Sequence, residues 1–137
     1  IHTLPAYGEI IRDWKITCLD YADLVEDCLG RIGTLSCSDN TFFYVDPPYS
    51  IKDNLYGEKG KLHKGFDHTR FADTMDDTMG NVMISYNNSK KIVDRFWEWH
   101  SYDWDHTYTM RSTGDYMKNQ QGRRELLLTN YSCQKEA

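Results

Sequence analysis

Four consecutive residues hold the densest chemistry in this chain: Asp46-Pro47-Pro48-Tyr49, which follow the apolar run Thr41 to Val45. Neither proline can donate a backbone hydrogen bond and each fixes its own φ, so a strand entering this tetrapeptide must leave its ladder there. The carbonyls beside the prolines then face a cleft instead of a neighbouring strand. Asp46 adds a carboxylate to the same rim, and Tyr49 a flat ring. Two acceptors and a ring suit a planar group that bears an NH2, as adenine does. The lone pair of such an amine is delocalised into the ring, which makes the nitrogen a poor nucleophile. If the Asp46 carboxylate and the Pro47 carbonyl accept its two hydrogens, the nitrogen is drawn toward tetrahedral geometry. The lone pair is then free for in-line attack on a methyl sulfonium. Stacking on Tyr49 adds roughly 1–3 kcal/mol, and a base inside a duplex reaches such a corner only by being flipped out. The plain alternative is a strand-terminating turn, since Asp-Pro is a common turn starter.

The elements that must position this corner follow from hydrophobic periodicity. Trp14 to Leu19 reads as a short buried strand, and Tyr21 to Ile32 carries Leu24, Val25, Cys28 and Leu29 at helical spacing. Thr41 to Val45 is apolar throughout, as expected of a strand covered on both faces. From Asp67 to Met79, Phe71, Met75 and Met79 recur every four residues and define an amphipathic helix that Gly80 is placed to end. Asn81 to Tyr86 is a further buried strand, and Ser89 caps a helix whose apolar face is Ile92, Phe96 and Trp99. His106 to Met110 and Glu125 to Asn130 read as an antiparallel pair. The order β-α-β-α-β-α-β-β predicts an α/β open sheet with parallel strands under helices and a C-terminal antiparallel hairpin. Ligands are expected beyond the carboxyl ends of the strands. About twenty residues separate Val45 from the helix near Asp67, against two to six in most such connections, and long loops at strand ends concentrate function.

Composition bounds the rest. With 137 residues the chain supports one domain, and no apolar run is long enough for a membrane helix. The start lacks a signal peptide, so a cytoplasmic protein is expected; the first residue is not Met, which points to an origin inside a longer polypeptide. Cys18 and Cys28 read as small buried hydrophobes, and the four cysteines show no metal-ligand spacing. The net charge of −5 provides no whole-chain attraction to nucleic acid, so phosphate contacts must come from local patches. Lys52, Lys59, Lys61, Lys64 and Arg70, interleaved with Tyr56, His63 and Phe66, form one such patch in the long loop. Lys118, Arg123 and Arg124, with Arg111 and Ser112, form another. Against the first stand Asp53, Glu58 and Asp67, which make an ordinary solvated loop an equal reading. Asp73, Asp76 and Asp77 read as a solvated helix face and not a metal site, and no metal is expected. His63 and His68 fall in the loop, His100 and His106 on the surface, and Phe96, Trp97 and Trp99 against the sheet.

The tetrapeptide resembles the catalytic motif of the Dam-like class of adenine-N6 DNA methyltransferases. Ile16-Thr17-Cys18-Leu19-Asp20-Tyr21-Ala22-Asp23 is similar to the family segment in which an acidic residue and an aromatic border the adenine of S-adenosylmethionine. Phe66-Asp67-His68, Ile84-Ser85-Tyr86-Asn87, Tyr108 to Ser112 and Arg124 to Tyr131 resemble its following blocks, in the family's order. The resemblance implies a partial Rossmann-like sheet of an S-adenosylmethionine-dependent methyltransferase. A lead-in would occupy 1–13, the catalytic part 14–131 and a tail 132–137. It implies site-specific methylation of DNA adenine, as in restriction-modification, with S-adenosylmethionine as cofactor and DNA as partner. By the same resemblance Asp46, Pro47, Pro48 and Tyr49 carry catalysis, and Asp20, Tyr21 and Asp46 hold the cofactor. Tyr49, Lys52, Tyr56, Lys64, Arg111 and Ser112 contact DNA. Asp at position 46 favours adenine over cytosine-N4. The family's Gly-rich cofactor motif and target-recognition region, which precede this segment, are absent, so an upstream region would complete the cofactor and target sites. The alternatives are a catalytically incomplete remnant, a nucleic-acid interaction module, or amino-methylation of RNA or protein.

Overall fold

Apolar stripes from two strands meet residues of three helices to make the core. In a computed structural model describing residues 4–28, 40–50, 64–106 and 123–132, helices α1 (Leu4–Ile10) and α2 (Tyr21–Cys28) precede strand β1 (Phe42–Val45). Helix α3 (His68–Asp76), strand β2 (Asn81–Asn87), helix α4 (Lys90–Arg95) and strands β3 (His100–His106) and β4 (Arg123–Thr129) follow. The strands form one mixed sheet in the order β1-β2-β4-β3. β1 and β2 are parallel, with Phe42 opposite Asn81 and Val45 opposite Ile84. β4 runs antiparallel to both neighbours, pairing Asn87 with Glu125 on one side and Trp104 with Glu125 on the other.

β2 alternates: Val82, Ile84 and Tyr86 are fully buried, while Asn81, Met83, Ser85 and Asn87 occupy the opposite face. The buried set meets Leu126 and Leu128 of β4, Phe71, Ala72 and Met75 of α3, Ile92 and Phe96 at α4, and Val25 of α2. Burying each large apolar side chain there contributes about 1.5–3 kcal/mol relative to exposure. α3 starts because the Asp67 carboxylate accepts from the backbone N–H groups of Thr69 and Arg70, both at 3.0 Å. α4 starts at Ser89, whose hydroxyl accepts from the N–H of Ile92.

Several sequence expectations need correction. No strand forms over 14–19: these residues are exposed, with Trp14, Ile16 and Leu19 on the surface, because no described strand edge pairs with them. β1 is an edge strand covered on one face only, and Phe42 and Tyr44 are exposed. α3 stops at Asp76, so Met79 is exposed outside it. Gly80 acts three residues past the helix cap, at φ +100°, where a Cβ would stand 2.5 Å from the Thr41 carbonyl oxygen. Strand β3 occupies His100–His106, where the sequence reading assigned no strand before His106, with Asp103 and Asp105 paired with Arg124 of β4; of the strand expected over His106 to Met110, the residues past His106 lie outside the described set. Residues 107–122 lie outside the described set, as does the end of the helix expected to Ile32, of which Tyr21–Cys28 is seen. Trp97 faces solvent, in contrast to Phe96 and Trp99. Cys18 is exposed and free, and Cys28 is half-buried and disulfide-bonded, so neither is a buried thiol.

Candidate active site

The parallel pairing of β1 and β2 brings their carboxyl ends together, and the antiparallel β4 adds its amino end to the same rim. Asp46-Pro47-Pro48-Tyr49 leaves β1 at this rim, with Asp46 exposed and Pro47 buried. Val45 is opposite Ile84, so the next residues along the two strands, Asp46 and Ser85, come level. The Ser85 hydroxyl donates to Asp46 Oδ1 at 2.8 Å. The same hydroxyl oxygen accepts from the Tyr44 phenol at 3.1 Å. Tyr44 and Asp46, two residues apart on an extended chain, share a face with Ser85.

The rest of the corner is held from β2 and β4. The Tyr49 hydroxyl donates to Glu125 Oε2 at 2.8 Å, and Glu125 is only 6% exposed. The Ser50 N–H donates to Asn87 Oδ1 at 2.8 Å, and the Asn87 amide donates back to the Ser50 carbonyl at 3.5 Å. Asn87 and Glu125 are themselves a cross-strand pair, so Tyr49 and Ser50 are tied to neighbouring points on the sheet. The half-buried Tyr49 ring lies beside Tyr86, with centroids 6.3 Å apart and planes 32° from parallel. Burial pushes the Tyr86 phenol pKa well above its ordinary value, and its oxygen is hydrogen-bonded with His68 Nδ1. His68 is therefore a half-buried helix residue and not a loop residue.

Asp20 and Tyr21 stand at the start of α2. Asp20 Oδ1 accepts the Ala22 N–H at 2.9 Å, and Arg70 reaches both carboxylate oxygens, at 3.0 and 3.3 Å. The Ala22 N–H and then the Arg70 guanidinium lower the Asp20 pKa. The Arg70 guanidinium carbon lies 5.2 Å from the Tyr21 ring centroid, and Phe66 and Phe71 flank the same ring at 5.7 and 5.3 Å. Burial raises the Tyr21 phenol pKa. Arg70 thus lies over Tyr21 and pairs with Asp20 where both charged side chains, 52% and 42% exposed, meet water, so the pair is held weakly.

The basic residues divide. Lys64 is exposed, whereas Lys52, Lys59, Lys61, Tyr56, His63, Arg111, Ser112 and Lys118 lie outside the described residues. Arg70 pairs with Asp20, and Arg124 with Asp103 and Asp105. Asp73 and Asp76 bind Arg95, at 2.6 and 2.8 Å, and Asp76 also accepts from the Trp99 indole. They tie α3 to α4 instead of forming a purely solvated face. Sequence reasoning assigned no site role to Tyr44, Ser85, Asn87 or Glu125. The signal was present in the alternation of Asn81–Asn87, whose polar members share one face, and in a lone carboxylate heading the apolar run Leu126 to Leu128.

Among the described residues no helix is long and apolar enough to cross a membrane. No curated protein matches the chain. Residues 3–110, more than half the chain and including Asp46 to Ser50, Ser85 and Asn87, match a family model described as D12 class N6 adenine-specific DNA methyltransferase.

Proposed function

Because the chain belongs to the D12 class N6 adenine-specific DNA methyltransferase family, we propose that it provides the catalytic corner for methylating the N6 amino group of adenine in DNA. The observation that carries this reading is the exposed Asp46 carboxylate, anchored through one oxygen at the carboxyl end of β1, three residues before a half-buried aromatic ring. An amine conjugated to a purine must be rehybridised before it can attack. The Asp46 carboxylate and the Pro47 carbonyl serve as the two acceptors for its hydrogens. Pro47 and Pro48 hold that carbonyl out of the ladder. Tyr49 stacks on the flipped base, and the Glu125 bond keeps its ring from turning away.

S-adenosylmethionine would supply an electrophilic methyl carbon whose bond to sulfur breaks with the electron pair leaving on sulfur. As the nitrogen–carbon bond forms, the amine gives up one proton, for which Asp46 is the nearest acceptor in this reading. Asp20 and Tyr21 would hold the cofactor's adenine, beside Arg70. Lys52, Tyr56, Lys64, Arg111 and Ser112 contact the DNA beside the flipped nucleotide. The sheet is the carboxyl-terminal part of a Rossmann-like methyltransferase domain, spanning about 14–131. The test is transfer of labelled methyl from S-adenosylmethionine by the full-length protein to DNA, RNA and protein acceptors offered in parallel. Label in DNA, recovered as N6-methyladenine after digestion, is the expected result. Label confined to RNA or protein, or recovered as N4-methylcytosine, overturns the assignment.

A further inference from the structure

We propose that Ser85, with Tyr44 behind it, is a positioning residue that fixes the rotamer of the Asp46 carboxylate; this rests on the reading of Asp46 given above. A serine hydroxyl has one hydrogen and two lone pairs. Here the Tyr44 phenol donates to that oxygen at 3.1 Å, and the single Ser85 hydrogen is directed at Asp46 Oδ1, 2.8 Å away. The result is a directional chain, phenol to hydroxyl to carboxylate, in which each donor polarises the next. An exposed aspartate without such an anchor samples several rotamers. Transfer to a weak nucleophile needs the accepting oxygen held within hydrogen-bond reach of the amine. With Oδ1 committed to Ser85, the second oxygen is the one presented to substrate.

Two features separate this from a plain strand tie. β1 and β2 are already joined by their own ladder from Phe42 to Val45, so the contact is not needed to pair them. Tyr44 is 61% exposed, so burial does not explain its place, whereas its phenol completes the chain to Asp46. A structural tie would be felt in stability, and a positioning role in the rate of the chemical step.

The experiment is single-turnover transfer of tritiated methyl from S-adenosylmethionine to genomic DNA lacking adenine methylation, using the full-length protein, with thermal melting as the fold control. Single turnover isolates chemistry from product release. Ser85→Ala is expected to slow transfer about 10- to 100-fold with the KM for DNA within about twofold. Ser85→Thr, which restores the hydroxyl, recovers most of the rate, and Tyr44→Phe slows transfer about 3- to 10-fold. A wild-type rate in Ser85→Ala, or a Ser85→Thr no faster than Ser85→Ala, overturns the proposal. Should Ser85→Ala fail to fold, Tyr44→Phe decides alone, and an unchanged rate there overturns it. Asp46→Ala run alongside keeps the two claims apart. Turnover retained in Asp46→Ala removes the role of Asp46 itself, while turnover lost there with Ser85→Ala at the wild-type rate removes only Ser85.

Discussion

Tyr49 has two separable parts, a ring and a hydroxyl, and removing them one at a time distinguishes packing from catalysis. Tyr49→Phe deletes the donor 2.8 Å from Glu125 Oε2 and leaves the ring beside Tyr86. A hydrogen bond to a charged acceptor contributes about 1.5–3 kcal/mol net. Glu125 is 6% exposed but has further partners, so the low end applies and stability should fall by about 1.5 kcal/mol. Because the ring still stacks, the KM for DNA should rise less than about threefold. Tyr49→Ala removes the ring as well, and the additional loss of base stacking, about 1–3 kcal/mol, corresponds to roughly 5- to 150-fold in binding of the flipped base. Urea unfolding reads the first quantity. Steady-state methylation, with a fluorescent adenine analogue reporting base flipping, reads the second. Equal KM values for Tyr49→Ala and the wild type would refute the stacking role. Equal urea midpoints for Tyr49→Phe and the wild type would refute the energetic weight given to the Glu125 bond.

Gly80→Ala places a methyl group 2.5 Å from the Thr41 carbonyl oxygen at a φ that side chains rarely adopt. It should destabilise the chain by more than about 1 kcal/mol, measurable by urea unfolding, and an unchanged midpoint would show that the turn is not constrained. Asp20 and Asp67 both titrate below their ordinary value of 3.8, each held down first by a backbone N–H, from Ala22 and Arg70 respectively. A lowered folded-state pKa means that their stabilisation is complete above 3.8 and is lost as pH falls through the folded values. Amide exchange should therefore show the starts of α2 and α3 loosening below pH 3.8. The Asp20→Asn, Asp67→Asn double variant should lose most of that acid dependence, and its persistence would assign the effect elsewhere.

The sequence made the corner readable because its cause is local. Two prolines after an apolar run break a ladder wherever they stand, and the cap at Ser89 depends only on the residues just after it. What escaped depends on register. Ser85 becomes a partner of Asp46 only because β1 and β2 align Val45 with Ile84, and Glu125 meets Tyr49 from 76 positions away. No local spacing encodes either contact. β3 escaped for a related reason: nothing local marks His100 to Asp105 as a strand, and Asp103 and Asp105 meet Arg124 only through the pairing with β4. The failure at Trp14 to Leu19 is different: the run is apolar and β-branched, yet it pairs with no described strand, since strand propensity alone does not create a partner. Arg70 shows the same limit at the expected cofactor site. It reads as a phosphate contact in sequence, and the fold turns it onto Asp20 and Tyr21.

The central claim is that the Asp46 carboxylate makes an adenine amine reactive. The most direct measurement is mass spectrometry of nucleosides from DNA of cells expressing the full-length protein, either wild type or carrying Asp46→Ala. N6-methyldeoxyadenosine present with the wild type and absent with a folded Asp46→Ala is the predicted result. Equal amounts of that nucleoside with both proteins would contradict the claim.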